Sequence, residues 1–276
     1  MKKFVILFFA LALILRTSAQ EVEPEKPVKN VFQGTRFINL QSANVAEKNE
    51  LQMFIQHRFG NINGGFYEFF GLDEASMRLG FEYGIFKNFT VGIGRSNYMK
   101  TFDSFLKYRI LTQTATFPLT VTTTVAGSVP TIKDVIPEQY SDFSEKASWN
   151  VQMHIAKSWK SIGFQVTPGF IGTGYIPTED NSYSFFTTAF GGSVKLSKKI
   201  SFNVEYLHRF EDKIDYVNPL SASIDLDTGG HLFQIVISNG QQMYDQAIIT
   251  NPTGDWAEGS LYLGFNLVRG FNFKQY

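Results

Sequence analysis

From about residue 50 to its C-terminus the chain alternates between large apolar and small polar side chains. A two-residue period marks a strand with two unlike faces. In 75–83, Met77, Leu79, Phe81 and Tyr83 share one face, and Ser76, Arg78, Gly80 and Glu82 the other. In 89–96, Phe89, Val91 and Ile93 oppose Thr90, Gly92, Gly94 and Ser96. In 148–157, Trp149, Val151, Met153 and Ile155 oppose Ser148, Asn150, Gln152 and His154. In 200–206, Ile200, Phe202, Val204 and Tyr206 oppose Ser201, Asn203 and Glu205. In 260–267, Leu261, Leu263, Phe265 and Leu267 oppose Ser260, Gly264 and Asn266, with Tyr262 breaking the pattern. Further strands are predicted over 50–59, 104–112, 118–128, 162–172, 184–197 and 230–238. Several approach the ~9–11 residues that a tilted strand needs to cross a bilayer.

The polar faces separate the two β architectures. A sandwich turns its polar faces to water, where charges are common. Here those faces are rich in Ser, Thr, Asn, Gln and Gly with isolated charges, which suits a narrow wet barrel interior. The connections alternate as well: long at 60–74, 129–147, 173–183 and 211–229, and short at 84–88, 113–117, 158–161 and 198–199. Outer-membrane barrels show this contrast between outer loops and periplasmic turns. It puts Lys87-Asn88, Trp159-Lys160 and Lys198-Lys199 on the periplasmic side. These strands number eleven, and an even number is the rule for bacterial barrels. Asn239-Gly240 is a tight-turn dipeptide, so a weak twelfth strand is placed at 243–250, with a short helix as the alternative there. Residues 35–41 are a competing twelfth strand, but would put the short turns outside.

Composition agrees. Charged residues make up 18% of the 276 residues, against the ~25% of an average soluble domain. The mean hydropathy of −0.10 is too low for a bundle of membrane helices but compatible with strands of which only alternate residues meet lipid. There is no Cys, which excludes disulfides, thiolate metal sites and a lipid-anchored N-terminal Cys.

The first residues read as an address. Lys2 and Lys3 precede an apolar run from Phe4 to Leu15, and Thr17-Ser18-Ala19 supplies small residues for cleavage. Residues 1–19 are thus a signal peptide, 20–34 a flexible N-terminal lead and 35–276 the barrel domain. Removing Lys2, Lys3 and Arg16 leaves 22 basic and 25 acidic residues, a net charge of −3. Nothing suggests a nucleic-acid partner, which needs a basic face.

The alternation turns Arg58, Arg78, Glu82, Lys107, Arg109, Glu205 and Arg209 inward. Arg95 falls in phase with the apolar face, where a long side chain snorkels. The inward set either lines an aqueous path with a bias toward anions or pairs with Glu and Asp to fill the interior. His57-Arg58-Phe59-Gly60 closes the first strand, with His57 as a ligand or a pH-responsive group, or as a hydrogen-bonded tie between strand and loop. His57, His154, His208 and His231 show no metal-binding spacing. No G-x-S-x-G surrounds any Ser. No metal, cofactor or catalytic set is expected. Asp134, Glu138, Asp142, Glu145, Glu179, Asp180, Glu211, Asp212, Asp215, Asp225 and Asp227 are expected in solvated outer loops, without calcium-loop spacing.

The stretches FQGTRFINLQSAN (32–44), IQHRFGNINGGFYEFFGLDEASMRLGFEYGI (55–85), TVGIGRS (90–96) and FLKYRIL (105–111) resemble an uncharacterised β-barrel family of the Bacteroidota envelope. The resemblance implies a barrel in the envelope and carries no activity. The expected protein is therefore all-β: one antiparallel up-and-down transmembrane β-barrel of about twelve strands, with ten to twelve compatible, in a bacterial outer membrane. A small channel or porin-like transporter is the leading role. A non-conducting barrel that docks envelope proteins is the alternative, and a soluble periplasmic β-sandwich comes third. Its partners would be outer-membrane lipid and either small solutes or envelope proteins.

Overall fold

In the computed structural model, which describes residues 27–133, 136, 138–140, 142–176, 183–211 and 217–273, twelve strands close into one barrel. They are β1 Glu50–Asn61, β2 Ala75–Phe86, β3 Phe89–Ser96, β4 Phe102–Leu111, β5 Thr120–Val129, β6 Ser148–Trp159, β7 Ile162–Gly172, β8 Ser184–Lys195, β9 Ile200–Phe210, β10 Leu220–Asp227, β11 His231–Ser238 and β12 Tyr262–Asn272. Each pairs antiparallel with the next, and β12 returns to β1 through the ladder from Glu50–Asn272 to Arg58–Gly264. Closure leaves no strand edge unpaired. A single closed sheet also removes the soluble sandwich, which needs two.

The two faces sort as the alternation requires, with the greasy one outward. Phe81 (37% exposed), Ile93 (57%), Met153 (44%) and Val204 (37%) stand on the outer surface. Thr90, Gln152, Asn203 and Glu205 are buried inside. An outer face of this kind is stable only against hydrocarbon, since each large apolar side chain removed from water contributes ~1.5–3 kcal/mol. Aromatic rings gather at both rims: Trp149, Phe170 and Phe186 at one, Phe86, Phe89 and Tyr108 at the other. Arg95 lies outward, its guanidinium 4.4 Å from the Phe102 ring centre.

One rim carries the tight connections 87–88, 160–161, 196–199 and 228–230, together with 112–119 and both ends of the barrel sheet. Asn88 and Lys160 adopt φ of 70° and 52°, the positive values that a two-residue hairpin turn demands. The opposite rim carries the long connections, including 62–74, 130–147 and 239–261. The second of these holds a four-residue helix, α1 Phe143–Lys146.

The count of twelve holds, but one strand is not where the sequence reading put it. Residues 243–250 are no strand: they form a loop with the helix α2 Asp245–Thr250, buried at every position. The twelfth strand is β10, inside the stretch expected to be the outer loop 211–229. Asp225 accordingly leaves the set of solvated loop acids and points into the barrel, and Asp227 ends the strand at the tight-turn rim. Asp134, Glu179, Asp180, Asp212, Asp215 and the leader 1–19 lie outside the described residues. Residues 35–41 do not join the wall either. They belong to a segment folded inside the lumen, which begins at Val31, within the stretch expected to be a flexible lead.

Candidate functional site

The inward positions of the wall are mostly Ser, Thr, Asn, Gln and Gly, whose short side chains leave a hollow. Two segments of the same chain occupy it. Residues 31–46 enter from the tight-turn rim, turn at Phe37–Leu40 and run back, with Phe37 N–H donating to Leu40 O at 2.8 Å and Ser42 N–H to Thr35 O at 3.0 Å. The loop carrying α2 folds in from the other rim.

Wall strands spend their backbone groups on one another, so this hairpin must satisfy its own backbone with wall side chains. Glu205 takes the tip: its carboxylate accepts from the N–H of Ile38 (3.2 Å), Asn39 (3.1 Å) and Leu40 (3.1 Å). Lys107 Nζ donates to Thr35 O (2.8 Å) and Asn44 O (3.3 Å), tying the two arms. Gln165 accepts from Ala43 N–H and donates to Gln41 O, while Gln234 donates to Phe37 O and Asn266 to Ile38 O. Thr35 donates to Glu82 at 2.7 Å. Arg58 reaches Asn39 Oδ1 (2.8 Å) and Asn266 Oδ1 (2.9 Å).

The hairpin and the inserted loop meet at one ion pair. Arg36 Nη2 lies 2.6 Å from Asp245 Oδ1, with both side chains at most 4% exposed. Apolar packing completes the plug. Leu40 joins Ile171, Phe185, Ala189, Leu207, Ile248 and Ile249, and Phe32, Phe37 and Ile38 pack with Ala156 and Val236. On the inserted loop Tyr244 hydroxyl lies 3.2 Å from Thr101 Oγ1, and burial raises its phenol pKa above the ordinary value.

All seven charges expected to point inward are buried on the lumen face: Arg58, Arg78, Glu82, Lys107, Arg109, Glu205 and Arg209. Four of them, Arg58, Glu82, Lys107 and Glu205, hold the hairpin directly. Arg78 is instead clamped by Asp103, Nε to Oδ1 at 2.9 Å, and by Gln56 at 2.7 Å. Arg209 sits 3.2 Å from Glu211 near the long-loop rim. Arg109 faces a recess of about 510 Å³ at the tight-turn rim, shared with Lys48, Lys87 and the ion pair of Lys29 with Glu47. Its Nε and Nη2 have no hydrogen-bond partner among the described residues.

The segment His57-Arg58-Phe59-Gly60 is divided between faces. Arg58 and Gly60 point in. His57 points out, stacked 5.1 Å from Phe265 and edge-on to Phe59 at 4.6 Å. His154 lies inside, between Thr124 (2.9 Å) and Thr167 (3.1 Å). Among the described residues no three of His, Cys, Asp and Glu gather at metal-binding distance. Sequence reasoning missed Asp103, Asp225, Arg36 and Asp245. The first two were legible: extending β4 by one alternation reaches Asp103, and Ser221-Ser223-Asp225 alternates in β10. Arg36 and Asp245 stand in segments without a period.

A family model described as a membrane bound beta barrel domain, DUF5777, matches residues 32–271. The chain belongs to this family. The match takes in the DUF5777 hairpin as well as the wall, beginning at Phe32. Among solved structures the barrel is similar to the NanC porin, with a TM-score of 0.51 at 11% identity over 79% of this chain and 98% of that one. It is also similar to CdiB from Escherichia coli, with a TM-score of 0.36 at 9% identity over 94% of this chain and 68% of that one. No curated protein matches the chain at a significant level.

Proposed function

We infer that this DUF5777 barrel is a small-solute pore of a bacterial outer membrane, held shut by its own N-terminal hairpin. The observation that carries the reading is how the lumen is closed. A wall that needs only sealing can be filled by its own inward side chains, as small barrels are. Here short inward side chains leave a hollow, and a separate stretch of backbone fills it through polar anchors. A neutral anchor is exchangeable for water at a net ~0.5–1.5 kcal/mol and a charged one at ~1.5–3 kcal/mol, and none is a bond of the ladder, so the hairpin can leave without rupture of the wall.

On this reading residues 1–19 direct export and are removed, the tight turns face the periplasm, and the long loops face outward, the usual orientation of such barrels. The protein works without catalysis and without a cofactor. Arg109, Lys48 and Lys87 leave the recess at the periplasmic mouth net positive, Lys29 being paired with Glu47, and this favours anionic solutes.

Planar-bilayer recording tests it. The full chain is expected to stay largely closed, and a variant lacking 27–46 to conduct steadily. Arg109→Glu in that variant should move the reversal potential toward cation preference. The inserted loop with α2 also lies in the lumen, so a folded variant that lacks both 27–46 and 243–250 and still does not conduct removes the pore and leaves the docking barrel as the remaining reading.

A further inference from the structure

The tight-turn rim keeps one cation without a counter-charge. Arg109 is 5% exposed, and no oxygen of the described residues accepts from its guanidinium. Nε and Nη2 are sealed, and Nη1 is the nitrogen left open where Arg109 lines the recess of about 510 Å³. A cation so placed has given up its water and gained no partner, which is costly. Among the described residues Glu47 is the one acid lining the recess, and Lys29 engages it. Lys48 and Lys87 are exposed on the same recess and add positive charge.

The recess has two owners. Val45 and Ala46 end the returning arm of the hairpin, whereas Lys87, Arg109 and Thr112 belong to the wall and its turns. Ala46 N–H donates to Thr90 Oγ1 at 3.0 Å, so the arm is seated on β3 beside the recess. The cavity is whole only while the hairpin is in place. A ligand that binds one of two states favours that state by its differential affinity. The volume falls in the ~300–1,000 Å³ range of organic ligand sites, and Pro27, Val45 and Ala46 supply an apolar side for a small organic body.

We propose that this recess binds a small organic oxyanion, a carboxylate or a phosphate ester, with its head on Arg109 Nη1 between the Lys48 and Lys87 ammonium groups and its body against Val45 and Ala46, and that the bound anion staples the hairpin to the wall. Guanidinium and oxyanion make a charge-assisted pair, and the fork's charge is then neutralised where it is buried. The proposal deepens the pore reading, on which only its effect on current rests: an anion drawn to the mouth also keeps the mouth shut.

The test is calorimetric titration of the full chain in phosphatidylcholine nanodiscs with benzoate, with benzamide as the neutral control. Benzoate is expected to bind and benzamide not to. Arg109→Gln should weaken binding about ten- to hundredfold, the value of a charge-assisted hydrogen bond. Lys48→Gln/Lys87→Gln, which alters only exposed side chains, should weaken it about threefold at low salt. At a hundred times Kd, benzoate should slow hydrogen exchange at the Ala46 amide by about 100-fold. Replacing part of the lipid by phosphatidylglycerol distinguishes the sources: unchanged benzoate affinity assigns the site to free solutes, and competition assigns it to a lipid phosphate. Equal binding of benzamide, unchanged affinity in folded Arg109→Gln, or unchanged exchange at Ala46 overturns the proposal. If Arg109→Gln fails to fold, the neutral control and the exposed-lysine variant decide. Conductance of the deletion variants judges the pore, whereas binding and exchange are read on the closed chain, so either idea can fail alone.

Discussion

Glu205 sets the tip of the hairpin through three backbone donors, and a carboxylate is the side chain that can accept them all. Glu205→Gln turns one oxygen into a donor facing N–H groups. The amides of Ile38, Asn39 and Leu40 should then exchange faster, by an amount equivalent to ~1.5–3 kcal/mol for a charge-assisted bond. Unchanged hydrogen exchange at these amides would show that the tip is held by packing alone. Arg36 and Asp245 call for a cycle, not a single change. Arg36→Leu strands a buried carboxylate, and losses of ~3–5 kcal/mol are usual for such breaks. The double variant Arg36→Leu/Asp245→Leu should recover most of that, and denaturant unfolding of the four proteins measures the coupling. Additive losses would mean that the two groups do not act as a pair. Phase alone disclosed Arg58, Lys107 and Glu205, because a wall residue's neighbours in sequence report its face. No such rule disclosed their partners on the hairpin.

Among the elements, wall strands were legible because lipid on one side and a wet interior on the other impose a two-residue period. The segments inside the lumen meet protein on every side, so residues 31–46 and α2 carry no period. Ala247-Ile248-Ile249 in particular reads as strand when it is helix. β10 was hidden for another reason: acidic neighbours at 211–215 gave its stretch the look of a loop, although Ala222, Ile224 and Leu226 alternate with Ser221, Ser223 and Asp225. Pro168 marked in plain sight a seam between β6 and β7, where pairing lapses from Gln152–Gly169 to Ile155–Val166, since a proline has no N–H to donate. Pro168→Val returns a donor at that position. Amides of Met153 and His154 should become slower to exchange if the missing N–H is what opens the seam. No change would assign the gap to the lumen contacts of His154 instead.

Seen entire, the barrel and its orientation relative to lipid followed from the alternation, and the state of its lumen did not. Strand number fixes how wide the hollow is, and nothing in strand periodicity says what fills it. The plug fastens to the wall by polar side chains spread over many strands, from Thr122 on β5 to Asn266 on β12. Removing it should therefore leave the ladder intact. The variant lacking 27–46 is expected to keep the heat-shifted gel mobility of a folded barrel. Loss of that shift would mean that the hairpin is part of the folding core.

Stopper and pipe are one molecule here, joined by only Glu47–Asn49 before β1 begins. Stretched out, residues 31–46 span about 50 Å, so even a withdrawn hairpin stays beside the mouth it came from. A tether that short keeps its cargo at a local concentration on the order of millimolar. Reclosing is thus a first-order event, indifferent to dilution. A synthetic 31–46 peptide offered at micromolar levels to the opened variant should fail to stop the current that the attached hairpin stops unaided.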